Sequence, residues 1–169
     1  MNRKVYISDE QVALCEYIDT HDDSDCYNCW QDEETQCNYN FKLTRSFDDW
    51  VAVERTPIFN ATIIRLSDGK SIGSIVLSDD DAPDLSFMIY KSYRNQGYGA
   101  RAFALGAKHC LETFDLDKIF AGTYLHNSAS IKILEKCGFV PHPKGNVKSK
   151  HYLTGKKIIQ YDYVKYKVL

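Results

Sequence analysis

Across residues 85–114 the spacing of apolar side chains changes from that of a strand to that of a helix, through a run containing two glycines. Leu85–Tyr90 reads as a strand. From Gly97 to Phe114, apolar residues recur at Ala100, Phe103, Ala104, Ala107, Leu111 and Phe114, one face of a helix. Tyr93-Arg94-Asn95-Gln96-Gly97-Tyr98-Gly99-Ala100 joins the two. Glycines at a helix start let the backbone approach a ligand closely. The first-turn N–H groups are then unpaired donors at the positive end of the helix dipole. Such a strand–loop–helix can cradle a pyrophosphate, with Arg94 adding a charge-assisted contact. Taken alone, the loop is equally compatible with a tight turn that binds nothing. There is no G-x-x-x-x-G-K-[ST] run and no G-x-G-x-x-G opening a βαβ unit, so neither a P-loop NTPase nor a Rossmann site is supported.

The flanking segments set the fold class. Tyr6-Ile7 ends a short first strand. Ser8, followed by Glu10 and Gln11, resembles a helix cap and predicts a helix to about Thr20. The acidic stretch His21–Glu34 is expected to break it, with a second short helix beginning over Trp30–Thr35. Phe59–Leu66 is rich in β-branched residues, Asp68-Gly69 signals a hairpin, and Ser71–Leu77 returns. With Leu85–Tyr90 these make an antiparallel meander. After the long helix, Lys118–Thr123 reads as a strand. Asn127 caps a helix whose inner face is Ile131, Leu134 and Cys137, and Gly138 closes it. In the tail, Ile159, Tyr161 and Tyr163 alternate with polar residues, then the phase shifts to Val164, Tyr166 and Val168. That shift predicts a bulge near Tyr163-Val164. Strands followed by β-α-β-α-β give a mixed α/β sheet with helices on both sides, in one domain over residues 1–169.

Composition excludes several partners. Lysine and arginine total 21 against 23 acidic residues, so no broad basic field marks a nucleic-acid binder. No apolar run reaches membrane-spanning length, and the N-terminus lacks the apolar core of a signal peptide. The expected location is cytoplasmic, where the six cysteines are free thiols. Cys26, Cys29 and Cys37 with His21 lack the paired spacing of a zinc site, so no metal is expected.

A second motif gives the loop its meaning. Arg94-x-x-Gly97-x-Gly99 resembles the cofactor-loop signature of the GNAT acetyltransferases. Asn127-Ser128-Ala129-Ser130-Ile131-Lys132-Ile133-Leu134-Glu135-Lys136-Cys137-Gly138-Phe139 is similar to that superfamily's second signature, in its RimJ/RimL-like form. The resemblance covers about Phe59 to Leu169, while Met1–Trp50 matches in layout only. It implies a GNAT-type, mostly antiparallel sheet of six to seven strands with helices on both faces, and acetyl-CoA as cosubstrate. It implies that Phe87, Met88 and Ile89 pair with pantetheine, one of their N–H groups also polarising the thioester carbonyl. The amides of Arg94, Asn95, Gln96, Gly97, Tyr98, Gly99 and Ala100 would hold the pyrophosphate, with Asn127 and Ser130 at the far end of the pantetheine.

The chemistry so implied is direct attack of an amine on acetyl-CoA, which needs a base and a donor for the departing sulfur. Many GNAT enzymes place a tyrosine seven residues after the asparagine; Leu134 stands there here. Ser130 is therefore the first candidate for the donor, with Tyr124 the alternative. His151, in His151-Tyr152-Leu153-Thr154-Gly155, resembles a RimL-type turn and is a candidate base. Asp84 is its rival. A cysteine nucleophile is not needed. The acceptor, a small amine, polyamine or protein N-terminus, is expected against His21–Trp30 and Trp50–Glu54. There Asp22, Asp23, Asp25, Asp32, Glu33 and Glu34 would suit a cation, or form a solvated acidic face. A homodimer is compatible with the resemblance. The competing reading is a catalytically silent acyl-CoA-binding or regulatory module on the same fold.

Overall fold

The structure, a computed structural model, describes residues 3–168. Its N-terminal part departs most from expectation. In place of a helix from Ser8 there are two antiparallel strands, β1 (Val5–Ser8) and β2 (Val12–Glu16). The Asp9 carboxylate accepts the Gln11 and Val12 amides at 2.7 and 2.8 Å, closing a turn that has the composition of a helix cap. Val12, Ala13, Leu14 and Cys15 are each at most 4% exposed. A strand covered on both faces shows no alternation, so its period carries no signal.

The acidic stretch is a helix, not a break. Helix α1 (Asp19–Gln31) is followed directly by α2 (Glu33–Tyr39), whose Asp32 side chain caps the Thr35 amide. Asp22 and Asp23 point inward. Asp22 is paired with Arg3, accepts from the Thr62 hydroxyl at 2.7 Å and takes the Ile18 amide at 2.8 Å. Asp23 accepts from the Tyr17 hydroxyl at 2.8 Å and lies 3.4 Å from Arg55. A short third helix, α3 (Phe47–Val51), is capped by Ser46 and seats Trp50 against Tyr27.

Strands β3 (Phe59–Arg65), β4 (Lys70–Leu77) and β5 (Leu85–Ile89) form the expected meander and complete a five-stranded antiparallel sheet in the order β1-β2-β3-β4-β5. Helix α4 (Tyr98–Thr113) lies across one face. Its buried stripe is Ala102, Phe103, Gly106, Ala107, Cys110 and Leu111, with Ala104 exposed, so the stripe is rotated from the expected one. A Cβ at Gly106 would come within 2.3 Å of the Ile75 Cδ1, so any larger residue there must displace that side chain between helix and sheet. Helix α1 covers the opposite face, where the Cys26 sulfur meets Ser74 and Met88 at 3.9 Å.

The remainder is a second antiparallel sheet, so the nine strands divide into five and four. It contains β6 (Lys118–Tyr124), β7 (Val140–Pro141), β8 (Val147–Lys150) and β9 (Lys157–Tyr166). Between β6 and β7 runs α5 (Ser128–Lys136), with Asn127 as its cap and Gly138 at φ 78° beyond its end, as expected. The predicted bulge is absent: β9 pairs with β6 in unbroken register from Tyr166 to Gln160. Tyr163 and Val164 are both buried because the strand is covered on both faces there, and the change of phase needs no extra residue. No helix among the described residues is long and apolar enough to cross a membrane.

The Arg3–Asp22–Thr62 cluster yields a stability prediction. Burial alone would raise the Asp22 pKa, but Arg3, the Ile18 amide and Thr62 together hold it below the usual carboxylate value. Its stabilising contribution is therefore complete above about pH 4, the ordinary carboxylate range, and fades as pH falls through the lowered value. Asp22→Ala leaves Arg3 without its partner and should cost about 3–5 kcal/mol by urea unfolding at neutral pH. The difference from wild type should shrink in acid.

Candidate active site

The two sheets meet at one point and then part. Asp84 bridges Phe120 in parallel fashion, and the Phe120 amide donates to the Pro83 carbonyl at 2.8 Å. Beyond this bridge β5 and β6 pair no further, which opens a V between them. On its other side β5 stays paired with β4, from Leu77↔Leu85 to Gly73↔Ile89. The Tyr90 amide donates to Ile72 and the Ser78 amide to Asp84, so even-numbered residues of β5 turn their backbone groups toward β4. Those of Leu85, Phe87 and Ile89 therefore turn into the V. Of the three residues named from the sequence, Met88 is corrected in one respect: its backbone is occupied by β4, and its side chain lies toward α1.

Two of these outward carbonyls, of Phe87 and Ile89, are already bonded. Tyr39 on α2 donates its hydroxyl to the Phe87 oxygen at 2.5 Å, and Arg94 donates its Nε to the Ile89 oxygen at 3.0 Å. Burial pushes the Tyr39 pKa up, so it remains a donor at neutral pH. What the edge presents to the V is thus two N–H groups, those of Phe87 and Ile89. No signal in the sequence marks Tyr39 for this task.

The loop after β5 delivers α4 to the same place. A 3-10 turn at Lys91–Tyr93 leads to Asn95 at φ 60° and Gly97 at φ 85°, and Gly97 caps α4 with no side-chain bond to its first turn. Nothing lies within 4 Å of where a Gly97 Cβ would be, so its need is conformational. Gly99 differs, because a Cβ there would lie 2.9 Å from the Phe87 ring. Its bareness lets the helix start sit directly against the edge strand. A groove of about 310 Å³ runs from here to α5, lined by Phe87, Ile89, Asn95, Gly97, Gly99 and Ala100 on one side and Asn127, Ser130 and Ile133 on the other. Its third wall is α2, through Glu34, Thr35, Asn38 and Tyr39.

The side chains of three loop residues, whose amides were the groups named from the sequence, have partners of their own. The Arg94 guanidinium, on the groove wall, is bonded to Asp32 at 2.7 Å, Glu34 at 2.8 Å and Thr35 at 2.7 Å, so it ties the loop to α2. Burial would raise the Asp32 pKa, but Arg94, Lys91 and the Thr35 amide pull it down to about 2. Gln96 bonds the Ser92 carbonyl at 3.1 Å, and Tyr98 packs toward the core. Neither side chain lines the groove.

A V-shaped opening between two sheets, with an amide-bearing edge and a bare helix start, is matched by family comparison. The profile described as "Acetyltransferase (GNAT) domain" matches residues 8–140. The chain belongs to the GNAT acetyltransferase family. Acetyl-CoA is the cosubstrate of that family. No curated protein sequence matches the chain. Solved structures share its fold at low identity. The spermidine N-acetyltransferase from Vibrio cholerae, in complex with CoA and spermine, aligns with TM-score 0.82 and 14% identity, covering 94% of this chain and 97% of that one. A GNAT-family acetyltransferase from Bacillus anthracis gives 0.77 and 17%, covering 95% and 98%. The ribosomal-protein-S5-alanine acetyltransferase from Vibrio fischeri gives 0.72 and 17%, covering 95% and 96%.

In this GNAT chain the V continues inward into a chamber of about 200 Å³ that holds the polar groups. Asp84, Tyr124, Ser130, Leu134 and Gln160 line it. Burial raises the Asp84 pKa to about 7, opposed by the Gly122 amide and reinforced by Asp162 and Asp80. Ser130 gives its amide to Asn127 at 3.1 Å, while its hydroxyl has no protein partner among the described residues. The Tyr124 hydroxyl is directed at Gln160, 3.1 Å away. The Thr123 hydroxyl is buried beside the chamber with no partner. His151 lines neither groove nor chamber; its Nδ1 accepts the Leu153 and Thr154 amides at 3.3 and 3.4 Å, closing the β8–β9 turn. The structure thus gathers Asp84 and Ser130 and leaves His151 outside, correcting its candidacy as base.

On the opposite face of β4 and β5 lies a third cavity, about 520 Å³, bounded by α1, residues 41–45 and α3. It shares Ser86 and Phe87 with the chamber, and Tyr39 stands between them. Trp30 and Trp50 line it, within the segments expected to meet the acceptor, but no acidic residue does. Asp22, Asp23, Asp32 and Glu34 are bonded to Arg3, Tyr17, Arg55 and Arg94. Asp25 and Glu33 face a separate cavity. That cavity, of about 670 Å³, is also lined by Asp32, so the acids of this segment gather apart from the cleft that Trp30 and Trp50 line. Cys26 and Cys29 make no metal site; they pack against Ser74, Met88 and Thr35, and no cluster among the described residues is arranged to hold an ion.

Gly99→Leu must displace the Phe87 ring or the start of α4. It should weaken CoA binding by about ten-fold or more in calorimetry, while Gly69→Ala, in the distant β3–β4 turn, should not. Equal affinity for Gly99→Leu and wild type would remove the loop from the site.

Proposed function

We propose that this GNAT chain is an acetyl-CoA-dependent N-acetyltransferase that acetylates a primary amine by direct attack in a ternary complex. The observation that carries the reading is the pair of edge amides, Phe87 and Ile89, beside the uncapped first turn of α4. Those two features suit the two ends of one ligand: amides for pantetheine, and a positive helix start for a pyrophosphate. Asn95, Gly97, Tyr98, Gly99 and Ala100 would hold the phosphates through the backbone, and Asn127 and Ser130 would face the thiol end. When bound, acetyl-CoA supplies a thioester whose carbonyl carbon accepts the amine. The new N–C bond forms as C–S breaks, and the amine's proton is lost.

Each remaining task falls to a residue of this chain. The Phe87 N–H, fixed by Tyr39 on the same residue's carbonyl, donates toward the thioester oxygen. Ser130 carries a free hydroxyl at the chamber wall and donates to the leaving sulfur. Asp84, poised near neutrality by burial, takes the amine's proton directly or through water. Leu134, buried where many relatives have a tyrosine, leaves these roles without a phenol. A relative named for spermidine and another for the alanine of a ribosomal protein place small amines and protein N-termini among the acceptors to screen. The likeness to the ribosomal-protein acetyltransferase supports the RimJ/RimL-like assignment.

Thiol release from acetyl-CoA over a panel of amines and short peptides tests the reading. Release that requires an amine supports it; tight acetyl-CoA binding with no release from any amine would favour a silent binding module. With an active amine, kcat/KM should rise with pH through about 7 as Asp84 ionises. Asp84→Asn should remove that limb and lower kcat by about 10²–10⁴-fold. Because the folded Asp84 pKa is raised, its ionisation opposes folding. The stability difference between Asp84→Asn and wild type should therefore grow as pH rises from about 4 to about 7 and then level off. Ser130→Ala should lower kcat by about ten-fold or more with acetyl-CoA affinity retained.

A further inference from the structure

We infer that the acceptor is a small primary amine with an apolar or aromatic body and an anionic group remote from the nitrogen, seated in the 520 Å³ cleft over the α1-covered face of β4 and β5. This rests on the acetyl-transfer reading above and names the class of amine. The cleft has the volume of a small-molecule site. Its floor is Ser74 and Val76 of β4 beside Met88 and Ser86 of β5, paired across the strands. Ser86 and Phe87 connect that floor to the chamber holding Asp84, so a nitrogen at this end reaches the reacting edge.

The walls are aromatic. Trp30 packs on Tyr39 at 4.8 Å and on Phe41 at 5.6 Å between ring centroids, and Trp50 stands opposite with Tyr27 behind it. Such surfaces favour a flat apolar body.

The charge lining the cleft is of one sign. Lys42, Arg45 and Arg55 line it, and no aspartate or glutamate does. Arg55 is stacked on Trp50, 4.0 Å from the ring centroid, and leans toward Asp23, so its direction is set and its charge partly met. Lys42 and Arg45 form no ion pair among the described residues. The Arg45 carbonyl is held by the Tyr27 hydroxyl at 2.9 Å, which anchors this cationic segment to α1. A second ammonium on the acceptor would meet these cations, whereas a carboxylate would be attracted. Attraction and repulsion between charges this close sort acceptors by sign, and salt screens the difference. Of the acids nearby, Asp22, Asp23 and Asp32 are engaged with Arg3, Tyr17 and Arg94, Asp49 is bonded to Ser46, Asp48 and Glu54 are exposed without lining the cleft, and Asp25 and Glu33 line another cavity.

The chain's two tryptophans both line this cleft, so intrinsic fluorescence reports its occupation without any chemistry. Para-aminomethylbenzoate, its carboxamide and spermidine are the probes. The benzoate should quench with a Kd at least about ten-fold below that of either other amine, and added salt should narrow the gap. The Lys42→Gln/Arg45→Gln protein should lose the preference, and Lys42→Arg/Arg45→Lys should keep it, which separates charge from folding. Equal or tighter binding of the carboxamide or of spermidine overturns the inference. Thiol release is followed on the same samples. Preference for the benzoate with no release of thiol from any amine would overturn the acetyl-transfer reading and leave the charge selectivity standing. Release with spermidine alone would keep acetyl transfer and overturn the inference.

Discussion

A strand edge whose N–H groups stay unpaired is the constraint on which the rest of this structure depends. Backbone donors inside a protein are nearly always bonded, and leaving them open costs free energy unless a ligand or water takes them. Here β5 is paired on one side only, and the single bridge at Asp84–Phe120 ends its contact with β6. Two of its outward carbonyls are nevertheless bonded, by Tyr39 at Phe87 and by Arg94 at Ile89. At Phe87 and Ile89 the edge is thereby made one-sided, offering donors and no free acceptor. Both residues that do this are themselves fixed. Arg94 lies in a cage of Asp32, Glu34 and Thr35, and Tyr39 ends the helix that Asp32 starts.

That arrangement explains why so many carboxylates are gathered in the N-terminal part without lining the cleft beside the two tryptophans. Asp32 and Glu34 hold the loop arginine, and Asp22 and Asp23 lock α1 to Arg3, Thr62 and Tyr17. With the acids directed to the scaffold, the cleft beside α1 is left to aromatic rings and cations. One set of ion pairs therefore holds the open edge in place and leaves the cleft beside α1 lined by cations alone among charged residues.

The cofactor side was legible in the sequence because its requirements are local. Two glycines at a change of hydrophobic period, and an asparagine before a second helix, are visible within a few residues. The structure assigns each a cause, in the open φ of Gly97, the Phe87 ring against Gly99 and the Asn127–Ser130 cap. What was not legible depended on distant partners. The Ser8–Gln11 cap signature is a turn closed by Asp9, and Val12–Cys15 has no alternation because both faces are covered. The acids of α1 read as helix-breaking until Arg3 and Thr62 are placed beside them. Arg94 reads as a charge without a partner until Asp32 is seen across from it. His151 fits a motif by position, yet its ring is used to close a turn. Tyr39 carries no pattern at all, since its task is set by a carbonyl 48 residues away in the chain.

The central claim is that the open edge and the start of α4 hold a single ligand between them. Amide-resolved NMR during titration with CoA tests it most directly. The account predicts the largest shifts at Phe87, Ile89, Tyr98, Gly99 and Ala100, with the even-numbered β5 amides, already bonded to β4, moving less. Shifts confined to the surface cavity of Asp25 and Glu33, or an edge that does not respond at saturating CoA, would contradict it.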